Sequence, residues 1–550
     1  MRGTVAVALV FVLAGCSENA REKSASENGG TVVIATLEDP GTLFPPFIQT
    51  TSAKQITEQI YDYLADVGPE LDTRDDKKFR RQLADSWSWS GDSLRLTFHI
   101  NPRARWHDGR SVTAGDVRFT YELNKTPAVA SRYLSSLENI DSVTVADSLS
   151  ATFWFHRRVP TEFLDAAAQL LILPAHQLER IPFDRLRQLV PPPPIGSGRF
   201  RFRRWDKGSA VEIVADIANY RSRAKLDRVI WNPVPDFTTA VARFSGGEAD
   251  FFDGLRPENV TSLKTRPKLR TIVLPGMGYG FLRFNLRDPI NKTRPNPLFG
   301  DRSLRRAIAM SIDRNALVRS VFDTFAVVPV GPTVRAFPTT DPRLAQIPFD
   351  FARAGQLFDS LGWIRSRNGV RMKNGRELAF TIIVTSQNLN RVRMSVLVQE
   401  QLRGMGLQVN VDRMEASAQT ALQERGDFDA SIDAWTMPSS PDATRDAWST
   451  TGIGKNGVNY GSYSNPRFDA LLDSALTSDP AHARERFSAA YSVINDDAPA
   501  VWLYEPRRIL GINQRIRTVQ MRPDAWWFSL GDWYIPPAER VLRDRIRGPR

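Results

Sequence analysis

The chain has almost no cysteine: Cys16 is the only one among 550 residues. A lone cysteine cannot close an intramolecular disulfide, and metal sites built from several thiolates are excluded as well. The five histidines stand singly along the chain, so no local zinc motif is present. We therefore expect no metal and no internal disulfide, and the position of Cys16 needs another explanation.

Motifs of common enzyme classes are also lacking. The chain contains no G-x-x-x-x-G-K-[ST] phosphate loop, no G-x-G-x-x-G after a strand, no H-E-x-x-H and no G-x-S-x-G. The nearest serine context, "PIGSGRF", indicates a turn that leads into a strand. Distant residues can still converge in space, so neither a metal site nor a catalytic dyad is excluded. The absences favour a protein without catalytic residues and without a cofactor.

The N-terminal residues have the layout of a secretory signal over residues 1–15. Basic Arg2 precedes an apolar run from Val5 to Leu13, and small residues follow it. The run is too short to span a bilayer as a helix, which takes about 20 residues. The stretch Leu13-Ala14-Gly15-Cys16 resembles the bacterial lipobox, whose cysteine receives a diacylglycerol and becomes the new N-terminus. This resemblance implies a lipid anchor at Cys16 and a place in the cell envelope, on the periplasmic or extracytoplasmic face. The alternative is an ordinary signal peptide with an incidental cysteine.

The composition after this segment is that of a large globular protein. Residues 16–30 are polar and small and predict a flexible linker. Hydrophobic and charged residues make up 42% and 24% of the chain, which are ordinary values, and roughly 500 residues predict more than one packed lobe. The net charge of +12 comes from basic residues that are scattered among acids. We therefore expect a solvated basic surface, a monomer and no nucleic-acid partner.

Hydrophobic patterns predict both strands and helices. "ELAFTIIVTS" is typical of a covered strand, "NRVRMSVLVQEQLRGMG" of a helix, and Leu407, Val409 and Val411 alternate as a second strand, so this region predicts a βαβ unit with parallel pairing. Asp301 and Asp313 are predicted helix N-caps. In the first of these helices Leu304, Ala307, Ile308 and Ile312 share one face, with Arg302, Arg305 and Arg306 outside it.

The stretch "WHDGRSVTAGDV" is best explained structurally. It predicts an Asp-Gly turn before a helix that Thr113 caps, with Asp116 as the capping partner three residues on. His107 is accordingly interpreted as a turn or surface residue.

Several segments together resemble the bacterial extracellular solute-binding proteins of family 5, the peptide- and nickel-type receptors of ABC importers. The segments, spread from about residue 31 to 535, are "LADSWSWSGDSLRLTFHINPRARWHDGRSVTAGDVRFTYE", "PIGSGRFRFRRWDKGSAVEIVADIANY", "LRFNLRDPIN", "DRSLRRAIAMSIDRNALVRSVF", "LFDSLGW", "GDFDASIDAW" and "YSNPRFDALLDSA".

The resemblance implies an α/β, two-lobed periplasmic-binding-protein (Venus-flytrap) fold with an extra subdomain inserted in the first lobe. The implied division is residues 31–64, 186–279 and 506–535 for lobe 1, 65–185 for the inserted subdomain, 280–505 for lobe 2, and 536–550 for a basic C-terminal tail. A solute in the cleft would hold the lobes shut.

The resemblance also implies binding residues. Peptide-binding members hold the peptide's α-ammonium with an aspartate three residues after a cleft tryptophan. The matching tryptophan is Trp435, but the aspartate position is Pro438, which carries no charge. Asp442 and Asp433 lie nearby as substitutes. Further ligand-binding candidates are the residues Glu38, Tyr61 and Tyr279, for which core packing is the competing interpretation.

These features predict a substrate-binding lipoprotein that delivers a peptide or similar polar solute to the permease subunits of an ABC importer. One alternative keeps the fold but binds an oligosaccharide or a metal chelate. The others are a signalling lipoprotein, which would hold a membrane sensor, and a secreted hydrolase, which would turn over ester or peptide substrates.

Overall fold

The computed structural model describes residues 28–188, 192–454 and 457–545. Cys16 and the predicted signal sequence lie outside these ranges. The strands, in chain order, are β1 Thr31–Thr36, β2 Ala65–Asp66, β3 Arg80–Arg81, β4 Ala84–Trp89, β5 Arg95–Ile100, β6 Ile140–Asp147, β7 Ser150–Phe155, β8 Phe200–Asp206, β9 Ala210–Ala215, β10 Arg228–Pro233, β11 Phe251–Leu255, β12 Leu269–Leu274, β13 Gly278–Phe284, β14 Ala326–Val327, β15 Ile364–Arg365, β16 Arg371–Lys373, β17 Arg376–Glu377, β18 Ala379–Thr385, β19 Gln408–Met414, β20 Ala430–Thr436, β21 Ala500–Pro506 and β22 Arg508–Asn513.

Helices cover these strands. They are α1 Thr51–Ile60, α2 Ala114–Lys125, α3 Glu162–Ala167, α4 Ala175–Leu178, α5 Phe237–Gly246, α6 Pro257–Leu263, α7 Arg302–Met310, α8 Arg314–Phe322, α9 Phe351–Ser360, α10 Leu389–Gly404, α11 Ala416–Arg425, α12 Ala443–Trp448, α13 Pro466–Thr477, α14 Pro480–Asp497 and α15 Leu542–Arg545. Within the described ranges, no helix has the length and apolar character that crossing a bilayer requires.

Two mixed sheets form the body of the molecule. The first has the order β12-β22-β11-β1-β10-β9-β8, and β1 pairs in parallel with β10 and β11. The second has the order β14-β21-β13-β20-β18-β19, and β18 pairs in parallel with β19 and β20. The predicted βαβ unit is confirmed as β18, α10 and β19. The predicted N-caps are also confirmed, since Asp301 and Asp313 accept hydrogen bonds from the first turns of α7 and α8.

A third, antiparallel sheet, β4-β5-β7-β6, forms a separate layer between residues 84 and 155. Its buried side chains are continuous with the apolar cluster on one face of the second sheet. Arg74 strengthens this contact, because its guanidinium donates to the carbonyl oxygens of Ala475 (2.5 Å) and Leu476 (3.0 Å) at the end of α13. The cation thus lies at the negative end of a helix dipole.

The chain passes twice between the two large sheets. Residues 275–277 lead from β12 to β13, and Arg507 joins β21 to β22. The two crossings touch at Gly276, where a Cβ would lie 1.8 Å from the carbonyl oxygen of Pro506, so only glycine fits. Both crossings run between the carboxyl ends of the parallel strands of the two sheets. These edges therefore face each other across the crossings, which have the position of a hinge.

The predicted domain boundaries can be placed on these elements. The boundary between residues 279 and 280 falls inside β13, whose partners β20 and β21 both belong to the second sheet. The boundary between 505 and 506 likewise falls inside β21. We propose that lobe 2 runs from Gly278 to Pro506. These bounds keep the whole of β13 and the whole of β21 in the second sheet, where both strands pair.

Residues 536–544 of the predicted tail pack against the first sheet. The Asp544 carboxylate accepts hydrogen bonds from the backbone N–H of Thr31 (2.7 Å) and from Nη1 of Arg515 (2.5 Å). Arg543 pairs with buried Asp250 at 2.7 Å. This part of the segment therefore fixes the start of β1.

The prediction that Arg305 points away from the core was wrong. Its side chain is buried, and its guanidinium donates to the carbonyl oxygens of Phe299 (2.7 Å), Asp497 (2.7 Å) and Ala498 (3.0 Å). Burial lowers its pKa to about 10. The carbonyls at the C-terminal end of α14 supply the acceptors that a buried guanidinium needs.

Replacing Gly276 with alanine tests the contact between the crossings. We expect Gly276→Ala to lower the free energy of unfolding by roughly 2 kcal/mol, because the methyl group overlaps backbone that cannot move independently. Gly91→Ala is the control, since a Cβ there meets no atom within 4 Å, and it should change stability by less than about 0.5 kcal/mol. Chemical denaturation measures both, and equal effects would contradict the assignment.

Candidate functional site in the cleft between the sheets

The cleft lies where the carboxyl ends of the parallel strands face each other. In open α/β sheets, ligands bind outside these ends, where the strand order reverses. In the second sheet the chain leaves β18 through α10 toward β19 and returns through α11 to β20, on the other flank of β18. The reversal point is therefore between the ends of β18 and β20.

Trp435 is the penultimate residue of β20 and lies at this point. Its ring is partly buried against the apolar cluster of the second sheet. Its indole Nε1–H is buried, and no hydrogen-bond acceptor contacts it among the described residues. A buried donor without an acceptor costs free energy, so a solute that supplies one would stabilise this position. The proposed binding role of Trp435 stays a prediction that this geometry supports.

The residues after Trp435 touch the first lobe. Pro438 offers no charge, but the Ser439 hydroxyl donates to Oδ2 of Asp524 at 2.8 Å. The other carboxylate oxygen of Asp524 accepts from Nε of Arg522 at 2.5 Å. The chain thus uses the position after Pro438 for a contact between lobes, and the Asp524 carboxylate is engaged by the protein itself.

The two substitute aspartates differ in their surroundings. Asp442 precedes α12 and accepts a hydrogen bond from the Ser440 hydroxyl at 2.9 Å. Burial raises its pKa, against the attraction of neighbouring Arg74 and Arg445. Asp433 shares a strand with Trp435, and its donors among the described residues are neutral: Gln419 Nε2 (2.8 Å), Gln423 Nε2 (2.7 Å) and Ser431 Oγ (2.6 Å). Both carboxylates therefore accept hydrogen bonds from side chains of the same lobe.

Glu38 lies at the carboxyl end of β1, as the sequence pattern indicates. Its Oε1 accepts from the backbone N–H of Thr51 at 2.9 Å and of Ser52 at 3.4 Å. The carboxylate thus accepts hydrogen bonds from N–H groups in the first turn of α1, which have no partner within the helix. The structure gives Glu38 a capping role, and its contact with a solute stays a prediction.

The two predicted tyrosines are core residues in this conformation. Tyr279 has 0% of its surface exposed, and its hydroxyl accepts from Trp448 Nε1 at 2.9 Å. Tyr61 lies in the apolar cluster under the first sheet, where burial raises its pKa well above the ordinary value. Neither side chain offers surface to a solute here. The competing interpretation, core packing, describes both.

His107 joins the inserted subdomain to the first lobe. Its Nδ1 accepts from the backbone N–H of Gly196 (3.2 Å), and its Nε2–H donates to the carbonyl oxygen of Gly198 (2.9 Å). Both glycines pack against the end of α1, where a Cβ would overlap the carbonyl oxygens of Ile60 and Gln59. The predicted capping box of Thr113 is confirmed. His107 is thus a bridging residue, which the sequence alone did not indicate.

Sequence reasoning missed other residues at the cleft. Arg391 lies in the first turn of α10, and its Nε is buried without an acceptor in the described ranges. Asp524 was also missed. The only signal for Arg391 was its place near the start of the helix that follows a buried strand. In the described residues, no three His, Cys, Asp or Glu side chains form a group suited to a metal ion.

The two sheets, the paired crossings and the inserted layer define a two-lobed α/β binding protein. Residues 78–456 match the family described as bacterial extracellular solute-binding proteins, family 5 (Middle), and the chain belongs to this family. The predicted fold class and family are confirmed.

The relatives bind different solutes. The oligopeptide-binding protein AppA of Bacillus subtilis is 26% identical over 97% of this chain and 98% of its own. Heme-binding protein A of Haemophilus influenzae is 24% identical over 90% and 91%. The crystal structure of NikZ from Campylobacter jejuni with Ni(L-His) superposes with a TM-score of 0.71 at 22% identity, covering 92% of this chain and 99% of that one.

The His107 bridge predicts a pH-dependent stability. Burial lowers the pKa of the His107 imidazole, because it disfavours the charged ring more than the Gly198 carbonyl favours it. Protonation would also place a proton opposite the Gly196 N–H. The contribution of His107 is complete above the unfolded pKa of about 6.5 and declines as pH falls below it. Between pH 7.5 and 5.5, the free energy of unfolding should fall less in His107→Gln than in the parent. An equally steep fall in the variant would contradict the bridge.

Proposed function

We propose that this protein is the substrate-binding lipoprotein of an ABC importer and delivers a peptide or similar polar solute to membrane permease subunits. The observation that carries the proposal is the pair of facing strand edges, between which the chain crosses at residues 275–277 and at Arg507. Such a geometry permits hinge closure around a solute, and the closed form differs in shape from the open one. Membership of family 5 supports the same role.

The proposal has two versions, which differ in the solute that the protein binds. AppA supports a peptide, whereas heme-binding protein A and NikZ support other cargo. Pro438 at the position of the expected ammonium-binding aspartate favours the second candidate, a non-peptide solute such as an oligosaccharide or a metal chelate. Trp435 suits both, because an indole face packs against a sugar ring or an apolar side chain.

Thermal melting tests the receptor role and the part of Trp435. Residues 29–550 are unfolded and refolded to remove any carried solute, then melted with mixed short peptides, oligosaccharides and metal chelates. A solute at 100 times its Kd stabilises the folded state by about 2.7 kcal/mol and raises the melting temperature measurably.

For the solute found, Trp435→Ala should weaken binding at least about tenfold, or about 1.4 kcal/mol. Trp154→Ala is the matched control, since Trp154 is 37% exposed on the inserted subdomain. Equal affinities of the Trp435 variant and the parent would remove Trp435 from the site.

The lipid anchor has its own test. Cys16 carries the proposed anchor, and a single or double acyl chain binds membranes through burial of its methylene groups, at about 0.8 kcal/mol each. We expect Cys16→Ser to move the protein from the membrane fraction to the soluble fraction of the envelope. Retention of the variant on membranes would contradict lipidation at this residue.

A further inference from the structure

A basic loop lies at the edge of the first sheet that points away from the cleft. The strands β1, β10 and β11 end toward the cleft, and β12 starts at the opposite edge, because β22 is antiparallel to both β11 and β12. We call this opposite edge the amino edge. The basic loop, residues 264–270, contains Lys264, Arg266, Lys268 and Arg270. All four side chains are exposed, and none has a carboxylate within 4.0 Å among the described residues.

The acids at the amino edge are mostly paired with arginines of the same lobe. They lie in the segments 216–227, 247–250 and 532–545, which connect or flank the strands at this edge. Ion pairs within 4.0 Å hold Asp227, Glu248, Asp250, Asp532, Glu539 and Asp544. Asp216 has no cation within this distance in the described chain, whereas Lys225 and the basic loop have no carboxylate. The charge that remains unpaired at this edge is therefore positive.

The chain enters the first sheet at the same edge. The carbonyl oxygen of Asn28 accepts from Nη2 of Arg540 at 3.0 Å, and the Gly29 N–H donates to the carbonyl oxygen of Lys225 at 2.7 Å. Twelve residues of chain separate Cys16 from Asn28, and they extend to at most about 40 Å. A lipid on Cys16 would therefore keep the amino edge close to the membrane, while the cleft lies at the other end of the same strands.

Exposed apolar side chains accompany the basic residues. Leu542 in α15 is 79% exposed, and Ile217 in the connection from β9 to β10 is 77% exposed. Apolar side chains at a membrane surface enter the boundary between headgroups and acyl chains, while Lys and Arg are attracted to anionic headgroups. This edge therefore combines the two kinds of side chain that a peripheral membrane contact uses.

We propose that the amino edge of the first sheet is a docking surface for anionic phospholipid, with the basic loop as its main contact. The attraction adds up over the Lys and Arg residues near the bilayer and falls off within a Debye length, about 8 Å at physiological ionic strength. The contact goes beyond the proposed receptor function, because it orients the anchored protein. It places the first lobe on the bilayer and the cleft farther from it.

Vesicle binding by the chain without its lipid tests this surface. Residues 16–550 with Cys16→Ser are mixed with vesicles of phosphatidylcholine or of phosphatidylcholine and phosphatidylglycerol in equal parts, and the partition coefficient is measured by cosedimentation. We expect binding to the anionic vesicles to be at least about fivefold stronger. The difference should vanish in about 0.5 M salt, where the Debye length is about 4 Å. Membranes washed in that salt hold the protein through its lipid alone, so the test of Cys16 stays separate.

Two variants that lose the same charge test the basic loop. Changing Lys264, Arg266, Lys268 and Arg270 together to Gln should weaken binding to anionic vesicles at least about tenfold. The control changes four exposed basic residues of lobe 2 to Gln, which also have no carboxylate within 4.0 Å in the described ranges: Arg376, Arg393, Arg403 and Arg413. The control should weaken binding less than about threefold, since these residues lie away from the amino edge. Thermal melting checks that both variants fold.

The outcomes separate this surface from the receptor function. Equal binding to both kinds of vesicle, or binding to neither, overturns the docking surface and leaves the receptor function standing, because solute binding is measured without vesicles. An equal loss in the two variants overturns the assignment to the amino edge, because net charge alone would then explain the binding. Conversely, a chain that binds anionic vesicles through the basic loop but binds no solute supports this surface and overturns the receptor function.

Discussion

The close contact of the two chain crossings is the constraint on which the arrangement of the molecule depends. Gly276 lies against the Pro506 carbonyl, and no other residue type fits there. Because both crossings run between carboxyl edges, the two sheets must present those edges to each other. The loops that follow the parallel strands are thereby brought to one place. A binding cleft follows from this connectivity before any side chain in it is considered.

The inserted subdomain is tied to both lobes. His107 binds the Gly196–Gly198 backbone of the first lobe, while Arg74 binds the end of α13 in the second. Ser439 and Asp524 make a further contact directly between the lobes. Opening of the cleft would have to break these contacts or move the contacting groups together. The free energy of closure therefore includes contacts of the protein with itself as well as those with a solute.

The chemistry of the cleft depends on which of its charged side chains the fold already uses. Most carboxylates near the strand ends are engaged in helix caps or ion pairs, as Glu38 and Asp253 illustrate. Pro438 adds no charge. In the part of the chain that the structure describes, Trp435 and Arg391 each keep a buried N–H donor that no acceptor contacts. The electrostatics of the site therefore depend on which charges the fold uses for its own structure, and residue counts alone do not give this.

The sequence by itself determined the elements whose signals are local. The alternation around Val409, the caps at Asp301 and Asp313, and the capping box of Thr113 each involve residues a few positions apart, so pattern and propensity were enough. The family motifs extended this to the two-lobed α/β fold.

Tertiary structure decided the environment of each polar or aromatic side chain. Arg305 is buried because carbonyls from the distant end of α14 meet it, and Tyr279 is a core residue because Trp448 folds over its hydroxyl. Arg391 could be recognised only from the structure, which shows that its Nε atom is buried. Burial and hydrogen bonding depend on residues far apart in the chain, and for this reason the sequence could name Trp435 but could not establish which charges at the cleft remain unpaired.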